Sequence, residues 1–556
     1  MTDILDLPIR SHANRCLTLL NSGREISLEE LIPSYVSFSP LLHPLLNSDS
    51  LDVNALNYCL TRLPDQIFSV SKVILVQSYD DLKSLGFSIA SWVSVPTLNR
   101  RRLSYINPTG TTLVCLLSSE SDIHDIVNEL ICFYVELQKM QNLLKGQAQD
   151  MVNSEDFRRF NITETDWLKL KNLLGRNWAK KIISVTYPHS ISLRLYGRTE
   201  PLFVENAKHW LNNLTSQTMV LGFNNQPVYF VSSNSHSLVN VIGGFVSNRQ
   251  NYIFDYVTRE LPLLYQQWFS YKKDKNISEV NDFLYYISSH FLKTNPQFNV
   301  EKTIYETSLG IKTIPSDSIL RSDVQIIPVR SLSKSLYLDN NLVLENKELF
   351  SKSDAYIVNI EYPLGFAAYY LMKQVLANFT ALKSIYIMGK AAILKGSIGD
   401  ITIPTAVYDE ITNNTYSLNN TFNHNISYSP NISSIKYDQK SVCVFGTYLE
   451  NEVMANRYLQ NGFNSIEMEN GAYLKAIAEK YLLSGDELSV DTQYDVSKCP
   501  FDLGIINYAS DNPLVKTLAQ ESLGLEGIEP AYLGSLSILQ RIINLETARL
   551  KVASSL

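Results

Sequence analysis

The sequence lacks three features that would place it in a class at once: paired cysteines, a long apolar run and an excess of positive charge. Its six cysteines are scattered through 556 residues with no C-x-x-C pair and no nearby histidine pattern. This scatter argues against a zinc site and against a disulfide framework. We therefore expect no bound metal and a reducing, cytoplasmic location.

Membranes and nucleic acids are the next classes of partner that the sequence argues against. No apolar run approaches the roughly 20 residues that a membrane-spanning helix needs, and the start of the chain lacks the charged-then-apolar order of a signal peptide. The net charge of −7 provides no overall basic field. We expect a small polar ligand as the partner, and neither nucleic acid nor membrane.

What the sequence does contain is an ordinary globular composition, with 45% hydrophobic and 19% charged residues. A chain of 556 residues exceeds what one hydrophobic core usually serves, so several domains are expected. Residues 1–150 combine short β-branched runs at 71–78 and 111–118 with a long helical pattern, which predicts a mixed α/β region. Helical patterns dominate residues 151–300, with one strand predicted at 227–233.

A polar and poorly periodic stretch at 296–325 predicts a domain boundary. Beyond it, apolar or β-branched runs alternate mostly with helical stretches; these runs are 323–329, 355–365, 384–391, 400–408, 441–449 and 503–510. This alternation predicts a mostly parallel or mixed sheet with helices on both faces over residues 320–556. The predicted fold class is therefore α/β, with a mixed α/β and helical N-terminal region.

Ligands of such sheets bind at the carboxyl ends of the strands, so the residues that follow each strand are site candidates. Two acids, Glu467 and Glu469, lie just before a predicted helix, and Ser510 and Asp511 end the last strand. Acids in a first helical turn often only complement the helix dipole. A pair of carboxylates can also divide the work on a nucleoside, one holding the ribose hydroxyls and the other assisting departure of the base.

Three segments carry a resemblance to a known family: "IYIMGKAAILKGSIGDITIP", "VFGTYLENEVMANRYLQNGFNSIEMENGAYLKAIAE" and "INYASDNP". In this order they resemble the superfamily of purine nucleoside phosphorylases and methylthioadenosine nucleosidases. That superfamily shows a glycine-bounded turn, a Gly-Asp turn into a strand, an E-M-E helix start and an S-D after the last strand. The resemblance covers about residues 320–550, and the two-part layout of the chain is similar to that of AMP nucleosidase.

The resemblance implies roles for the residues around the sugar. Glu469 would hold the ribose 2′ and 3′ hydroxyls, Met468 would pack against the sugar, and Glu467 would support Glu469 from the edge of the pocket or from behind it. Gly389 would lie in a turn beneath the ribose or the phosphate. The implied fold of residues 320–556 is a nucleoside phosphorylase-like α/β domain.

The resemblance also implies roles around the base. Asp511, with Ser510 before it, would protonate or hydrogen-bond the purine at N7. Tyr448 and Leu449 would lie along the base. No cofactor is implied, apart from phosphate as a co-substrate if the reaction is a phosphorolysis.

The sequence departs from the family where the attacking nucleophile would bind. The loop "IIPVRSLSKS" lacks the Gly-Asp and arginine pattern of the phosphorylases, which leaves Arg330 or Lys334 to meet an anion. The glutamate that activates water in the nucleosidases is missing at its place, and Glu361 is the nearest spare acid. Lys390 replaces a small residue, and it would either pair with a substrate phosphate or point to solvent.

These observations predict cleavage of the N-glycosidic bond of a purine nucleoside or nucleotide, by phosphorolysis or hydrolysis. The alternative is a catalytically inactive nucleoside- or nucleotide-binding regulatory protein. The resemblance further implies a homo-oligomer. A third hypothesis places a separate catalytic site around His236 in the first 300 residues; in the simpler interpretation of that segment, Ser235 caps a helix and His236 is structural.

Overall fold

The computed structural model describes residues 7–87, 91–185, 189–197, 199–218, 225–275, 280–424, 426, 434–448, 450–482, 493–515 and 527–555. Over these residues the chain is an α/β protein in which helices surround two mixed β-sheets. The predicted fold class is confirmed at this level. Among the helices of these ranges, none is long and apolar enough to cross a membrane.

The first sheet has six strands in the order β1-β6-β2-β5-β4-β3. These strands are β1 (Ile26–Ser27), β2 (Lys72–Val76), β3 (Val93–Ser94), β4 (Ser104–Ile106), β5 (Thr112–Leu116) and β6 (Ser192–Leu195). The central strand β2 pairs in parallel with β5 and with β6, and all its residues after the first are buried. Strands β2 and β5 are the two that the sequence predicts in this region.

Nine helices accompany the first sheet in the described residues. They are α1 (Leu7–Asn21), α2 (Ile32–Phe38), α3 (Val53–Leu60), α4 (Tyr79–Ser84), α5 (Glu120–Leu144), α6 (Ala148–Ser154), α7 (Glu164–Leu174), α8 (Trp178–Val185) and α9 (Thr199–Thr218). Helix α5 is buried around most of its circumference, including four of its acids, Asp122, Asp125, Glu129 and Glu136. Buried carboxylates need cationic or hydrogen-bonding partners, and those of α5 prove important for the candidate site.

The second sheet has eleven strands in the described residues. They are β7 (Val228–Ser233), β8 (Lys312–Ile314), β9 (Val324–Pro328), β10 (Tyr356–Glu361), β11 (Leu382–Ile393), β12 (Ile401–Asp409), β13 (Asn414–Ser417), β14 (Ile435–Cys443), β15 (Ser465–Glu467), β16 (Gln493–Asp495) and β17 (Asp502–Asp511). Strands β10, β7, β11 and β17 are parallel neighbours in that order. Each of the six runs predicted after residue 320 overlaps one of these strands.

Part of the second sheet closes on itself. Strand β11 pairs with β15 and with β17, β15 pairs with β14, and β12 pairs with both β14 and β17. These five strands therefore form a closed ring of pairings, from which the strands β7, β10, β9 and β8 extend as an open sheet.

Ten helices belong to this second part of the chain. They are α10 (Ser237–Gly243), α11 (Gln250–Glu260), α12 (Pro262–Lys275), α13 (Asn281–Thr294), α14 (Pro296–Ser308), α15 (Ser331–Lys334), α16 (Ala367–Asn378), α17 (Glu452–Gln460), α18 (Asn470–Tyr481) and α19 (Ile528–Ser555). Side chains alternate across the sheet: Phe230 of β7 packs in a core shared with α5 and α16, while Val231 packs with α10, α13 and α19. Helices thus pack on both faces of this strand.

The position of β7 differs from the sequence prediction. Residues 151–300 are predicted as a mainly helical region separate from the phosphorylase-like domain, yet β7 lies between β10 and β11, inside the second sheet. Its side chains are buried on both faces, which is typical of a central parallel strand. A single six-residue run among helices gives no sign in the sequence that it completes a distant sheet.

The stretch 296–325 also differs from the predicted domain boundary. Helix α14 occupies its first part, starting with a proline at the first helical position, where proline is favoured. Strand β8 follows and pairs antiparallel with β9 at the edge of the second sheet. The three predicted regions of the chain therefore stay predictions as domains, and both sheets share one continuous hydrophobic core.

Candidate functional site

A cavity of about 590 Å³ opens at one edge of the second sheet. Because β7, β10, β11 and β17 are parallel, their carboxyl ends meet at this edge. Asn234, Tyr362, Lys390 and Asp511 come from these four strand ends and line the cavity. The volume is in the range of pockets that hold small molecules.

Two regions of the chain provide most of the cavity lining, and we name each wall by its residues; Asn234 and the residues 319–321 complete the lining. The C-terminal wall comprises the lining residues from position 361 onward, among them Glu361, Lys390, Glu469 and Asp511. The N-terminal wall comprises Tyr58, Arg62 and the run 99–102 together with Ser118 and Asp122. The site is thus formed between the two parts of the chain.

The two acids of the E-M-E segment have different positions. Glu467 ends β15, and its Oε2 accepts hydrogen bonds from the backbone N–H groups of Glu469 and Asn470, both at 2.7 Å. It therefore satisfies N–H groups at the start of α18, as a carboxylate at a helix N-terminus does. Glu469 instead accepts a hydrogen bond from the backbone N–H of Gly365 at 2.8 Å.

The environment of Glu469 alters its ionisation. Burial raises its pKa to about 7, and the hydrogen bond from Gly365 opposes part of that rise. Gly365 can approach because it has a positive φ of 54° and no Cβ, which would lie 2.4 Å from the Cβ of Ser121. The start of α5 thus packs directly against the loop that holds Glu469.

Ser510 and Asp511 lie at the end of β17, beside the end of β11. The Ser510 hydroxyl is 3.1 Å from Oδ1 of Asp511 and 3.3 Å from the carbonyl oxygen of Ala391. Lys390 is paired in register with Tyr508 on the neighbouring strand. These residues, predicted from separate motifs, line one cavity together with Met468 and Glu469.

Gly389 lines the cavity, although not in a turn as the resemblance implies. It belongs to the long strand β11. A Cβ at this position would lie 2.1 Å from the hydroxyl of Tyr362, so glycine permits the close approach of that ring. The Tyr362 pKa is well above its usual value, first because of burial and then because of the nearby Glu469 and Glu467 carboxylates.

The residues predicted to lie along the base have a different position. Tyr448 does not line the cavity; its ring is buried against Tyr58 and Tyr35, with centroids 5.1 and 6.4 Å away. The physical reason is that helices α2 and α3 of the N-terminal part cover this loop and draw the aromatic ring into their core. Thr447 lines the cavity instead and donates to the Met468 sulfur at 3.5 Å. Leu449 lies outside the described residues.

Arg330 is also away from the cavity. Strand β9 runs antiparallel to β10, with Pro328 opposite Tyr356, so the end of β9 lies at the amino end of β10. The Arg330 guanidinium is 5.9 Å from the centre of the Tyr356 ring, at the opposite edge of the sheet. Periodicity alone does not reveal strand direction, which is why Arg330 was a candidate.

The N-terminal wall contains functional candidates that sequence reasoning missed. Arg100 makes a two-pronged ion pair with Asp125, at 2.6 and 2.8 Å. Arg102, almost fully buried, contacts Asp122, Asp125 and Glu129 at 2.6 to 3.1 Å. The run of three arginines at 100–102 is visible in the sequence. Nothing in that run indicates that these side chains reach a cavity whose other wall comes from position 361 onward.

Two further acids of the cavity are notable. Glu361, the spare acid named from the sequence, pairs with Arg101 of the N-terminal wall at 2.7 Å. Burial raises the Glu361 pKa, and Arg101 opposes that rise. Glu450, which the sequence analysis missed, is buried in the cavity wall, and its pKa is well above the usual range because of burial and then because of Asp511.

The segment around His236 leads into α10, and its Asn234 lines the cavity described above. His236 is partly buried, and burial lowers its pKa to about 4. The Oδ1 atom of Asn234, rather than Ser235, accepts from the backbone N–H groups of His236 and Ser237 at the start of α10. Within the described ranges, no group of three histidine, cysteine or acidic side chains has the arrangement of a metal site.

Comparisons with known proteins place the chain in a family. A family of unknown function, DUF6909, matches residues 28–544, so the chain belongs to that family. The chain has no match among curated protein sequences.

The solved structures to which the chain shows partial similarity include nucleosidases. AMP nucleosidase from Bacteroides thetaiotaomicron is 11% identical, with a TM-score of 0.30, over 61% of this chain and 97% of that one. The 5′-methylthioadenosine/S-adenosylhomocysteine nucleosidase from Neisseria meningitidis, in complex with methylthio-immucillin-A, is 12% identical, with a TM-score of 0.28, over 42% and 90%. The corresponding enzyme from Colwellia psychrerythraea 34H, in complex with adenine, is 12% identical, with a TM-score of 0.26, over 41% and 86%. At these scores the similarity assigns no role to any residue of this chain.

Proposed function

We propose that this member of DUF6909 cleaves the N-glycosidic bond of a purine nucleoside or nucleotide, as a cytoplasmic homo-oligomer. One observation carries the proposal: Lys390, Met468, Glu469, Ser510 and Asp511 come from three separated motifs and line a single cavity. Those motifs and their order are the ones that resemble the nucleoside phosphorylase superfamily. The homo-oligomer rests on the resemblance alone.

Glu469 is proposed to hold the ribose. Its Oε1 is fixed by the Gly365 N–H at 2.8 Å, and an ionised carboxylate has about four acceptor positions. It can therefore accept from both the 2′ and the 3′ hydroxyl and fix the orientation of the sugar. Because burial raises its pKa to about 7, this role is filled better as the pH rises through 7.

Asp511 is proposed to assist departure of the base. When the bond from C1′ to N9 breaks, its electron pair moves onto the purine, and a proton or hydrogen bond at N7 stabilises that charge. Asp511 lies on the same cavity as Glu469, and the Ser510 hydroxyl, 3.1 Å from Oδ1, orients its carboxyl group. Water or phosphate then completes the substitution at C1′.

The alternative function, a nucleoside- or nucleotide-binding regulatory protein without catalysis, is favoured by one observation. Glu361, the acid nearest to the place of a water-activating glutamate, forms an ion pair with Arg101. An acid held by a cation is a weaker general base, because the pair lowers its pKa relative to the unpaired group. Binding without base release is the expected behaviour under this alternative.

The experiment that tests the proposal is chromatographic detection of free base from a panel of purine nucleosides and nucleotides, with and without phosphate. We expect base release by the wild type and at least a tenfold loss in Glu469→Ala, since the ribose is no longer held. Release that depends on phosphate identifies a phosphorylase, and release without it identifies a hydrolase. Base release that is unchanged in Glu469→Ala contradicts the assignment, and binding of nucleosides with no release from any substrate favours the regulatory alternative.

A further inference from the structure

The cations that line the cavity divide into two groups. Arg100, Arg101 and Arg102 each pair with a carboxylate at 3.1 Å or less. Arg321, an exposed residue, forms no ion pair within the described part of the chain, and neither do Lys390 and Arg62. A positive charge inside a protein cavity usually has an anionic partner, so these two cations require an explanation.

Arg62 is held in a fixed position just beyond the end of α3. Its Nη1 donates to the carbonyl oxygen of Tyr58 at 2.9 Å and to the Thr61 hydroxyl at 3.2 Å. The guanidinium carbon lies 3.5 Å from the centre of the Tyr58 ring, in cation–π contact. Its Nε is buried and has no hydrogen-bond partner among the described residues. A guanidinium that lines a cavity, is fixed by its neighbours and has no carboxylate partner is suited to bind an oxyanion.

Lys390 projects into the cavity from β11. Its side chain is exposed to the cavity, although protein surrounds it on most sides. Burial lowers its pKa, the nearby Arg62 lowers it further, and Asp511 opposes both effects. Lys390 and Arg62 line the same cavity, and an anion bound between them would offset the repulsion between their two positive charges.

We propose that Lys390 and Arg62 together form a subsite for a phosphoryl group, with one cation from each wall of the cavity. The assignment of the remainder of the cavity to a nucleoside rests on the proposed function. The phosphoryl group has two potential sources with the same chemistry: the 5′-phosphate of a nucleotide substrate, or inorganic phosphate that attacks C1′. Lysine supplies a mobile point charge, and arginine supplies the rigid fork that matches phosphate oxygens.

Calorimetric titration of the full chain with three separate probes tests this subsite: adenosine, adenosine 5′-monophosphate and inorganic phosphate. The variants are Lys390→Met and Arg62→Met, with Lys390→Arg and Arg62→Lys as variants that keep the charge. Lys83→Met and Arg259→Met are matched controls, because these two cations lie on exposed helix surfaces, paired with Asp80 and Asp255. Circular dichroism confirms that each variant is folded.

If the 5′-phosphate is the source, both methionine variants weaken binding of adenosine 5′-monophosphate by about 10- to 100-fold, while adenosine binding changes less than about threefold. If inorganic phosphate is the source, its binding shows that loss, and adenosine 5′-monophosphate binds no tighter than adenosine. Both results support the subsite, provided that the controls bind as the wild type does. The charge-keeping variants are expected to retain most of the affinity.

The proposal is overturned if neither phosphate-bearing probe binds the wild type, or if both bind the methionine variants as tightly as the wild type. These outcomes are separable from failure of the proposed function. Phosphate binding that depends on Lys390 and Arg62, without any base release, removes the catalytic assignment and keeps the subsite. If base release and phosphate binding are both unaffected by Lys390→Met and Arg62→Met, the subsite is removed and the catalytic assignment is kept.

Discussion

The two walls of the cavity differ in whether their buried charged groups have partners of opposite charge. On the N-terminal wall, Arg100 and Arg102 are buried and fully paired with the acids of α5. On the C-terminal wall, Glu469 and Glu450 are buried, and each has a pKa raised by burial. The N-terminal wall is an ion-pair network, in which burial and Asp125 raise the pKa of Glu129 to about 8 against the opposing effect of Arg102. On the C-terminal wall, Glu469 and Glu450 form no ion pair among the described residues, and the pKa of Glu469 is about 7.

This difference indicates a division of labour. Paired buried charges cost a large free energy if one partner is removed, so the N-terminal wall is expected to serve as a rigid frame. Buried acids that have a raised pKa and no cationic partner are frequent at catalytic sites, so the C-terminal wall is expected to carry out the chemistry. Lys390 and Arg62, which follow neither pattern, form the proposed phosphoryl subsite between them.

The largest expected effect is on the C-terminal wall. Asp511→Asn should lower base release by about 10²- to 10⁴-fold, because the amide cannot give a proton to the departing purine. Initial rates by chromatography measure it, with Asp80→Asn, at an exposed helix position, as the matched control. Base release in Asp511→Asn within threefold of the wild type would falsify its catalytic role.

The next largest effect is expected on the N-terminal wall, and it concerns the stability of the fold instead of the reaction rate. Arg102→Met leaves Asp122, Asp125 and Glu129 buried with fewer cationic partners, and it should lower the free energy of unfolding by about 3–5 kcal/mol. Urea denaturation measures this change. Arg24→Met, which removes an exposed pair with Glu30, is the control and should change stability far less than Arg102→Met does. Equal effects of the two substitutions would contradict a frame role for Arg102.

Substitution of Glu469 is expected to raise the free energy of unfolding, whereas substitution of Arg102 lowers it. Its pKa is about 7 in the folded chain and ordinarily 4.5, so the folded state binds more protons between these values and stability decreases as pH rises from 4.5 to 7. Glu469→Gln removes that cost, which amounts to about 3 kcal/mol above pH 7.

The variant should therefore gain stability over the wild type at pH 8 and little at pH 4.5, while ribose binding is impaired. Urea denaturation at the two pH values measures the difference. Glu345→Gln serves as the control, since Glu345 is exposed and pairs with Lys551. A variant that is less stable than wild type at pH 8 would show that Glu469 is not a destabilising buried acid.

The smallest effect is expected where the two walls meet. Arg101 pairs with Glu361 near the surface, with 40% and 28% of their side chains exposed. Arg101→Met should lower the free energy of unfolding by about 1 kcal/mol or less, compared under the same conditions with Arg102→Met. A loss as large as that of Arg102→Met would mean that the frame extends to the rim of the cavity.

The sequence alone predicts those residues of the site that directly follow a recognisable strand. Met468, Glu469, Ser510 and Asp511 follow strands whose apolar patterns are visible, and these residues do line the cavity. Strand direction is not visible in such patterns, so Arg330 was placed at the wrong edge of the sheet.

Contacts between distant parts of the chain cannot be predicted from local sequence patterns either. The burial of Tyr448 depends on rings contributed by Tyr35 and Tyr58. The positions of Arg100 and Arg102 depend on acids of α5, and α5 itself packs against the loop of Gly365. Local periodicity contains no information on which surfaces come together.

The interior position of β7 has a consequence for how this chain reaches its native state. Its pairing partner β10 lies roughly 130 residues further along the chain, and pairings of such long range slow folding. During synthesis β7 would wait on the order of 10 seconds for β10 and β11 to emerge. Its "VYFV" run, buried on both faces in the finished sheet, is exposed during that wait and is a site where aggregation would start.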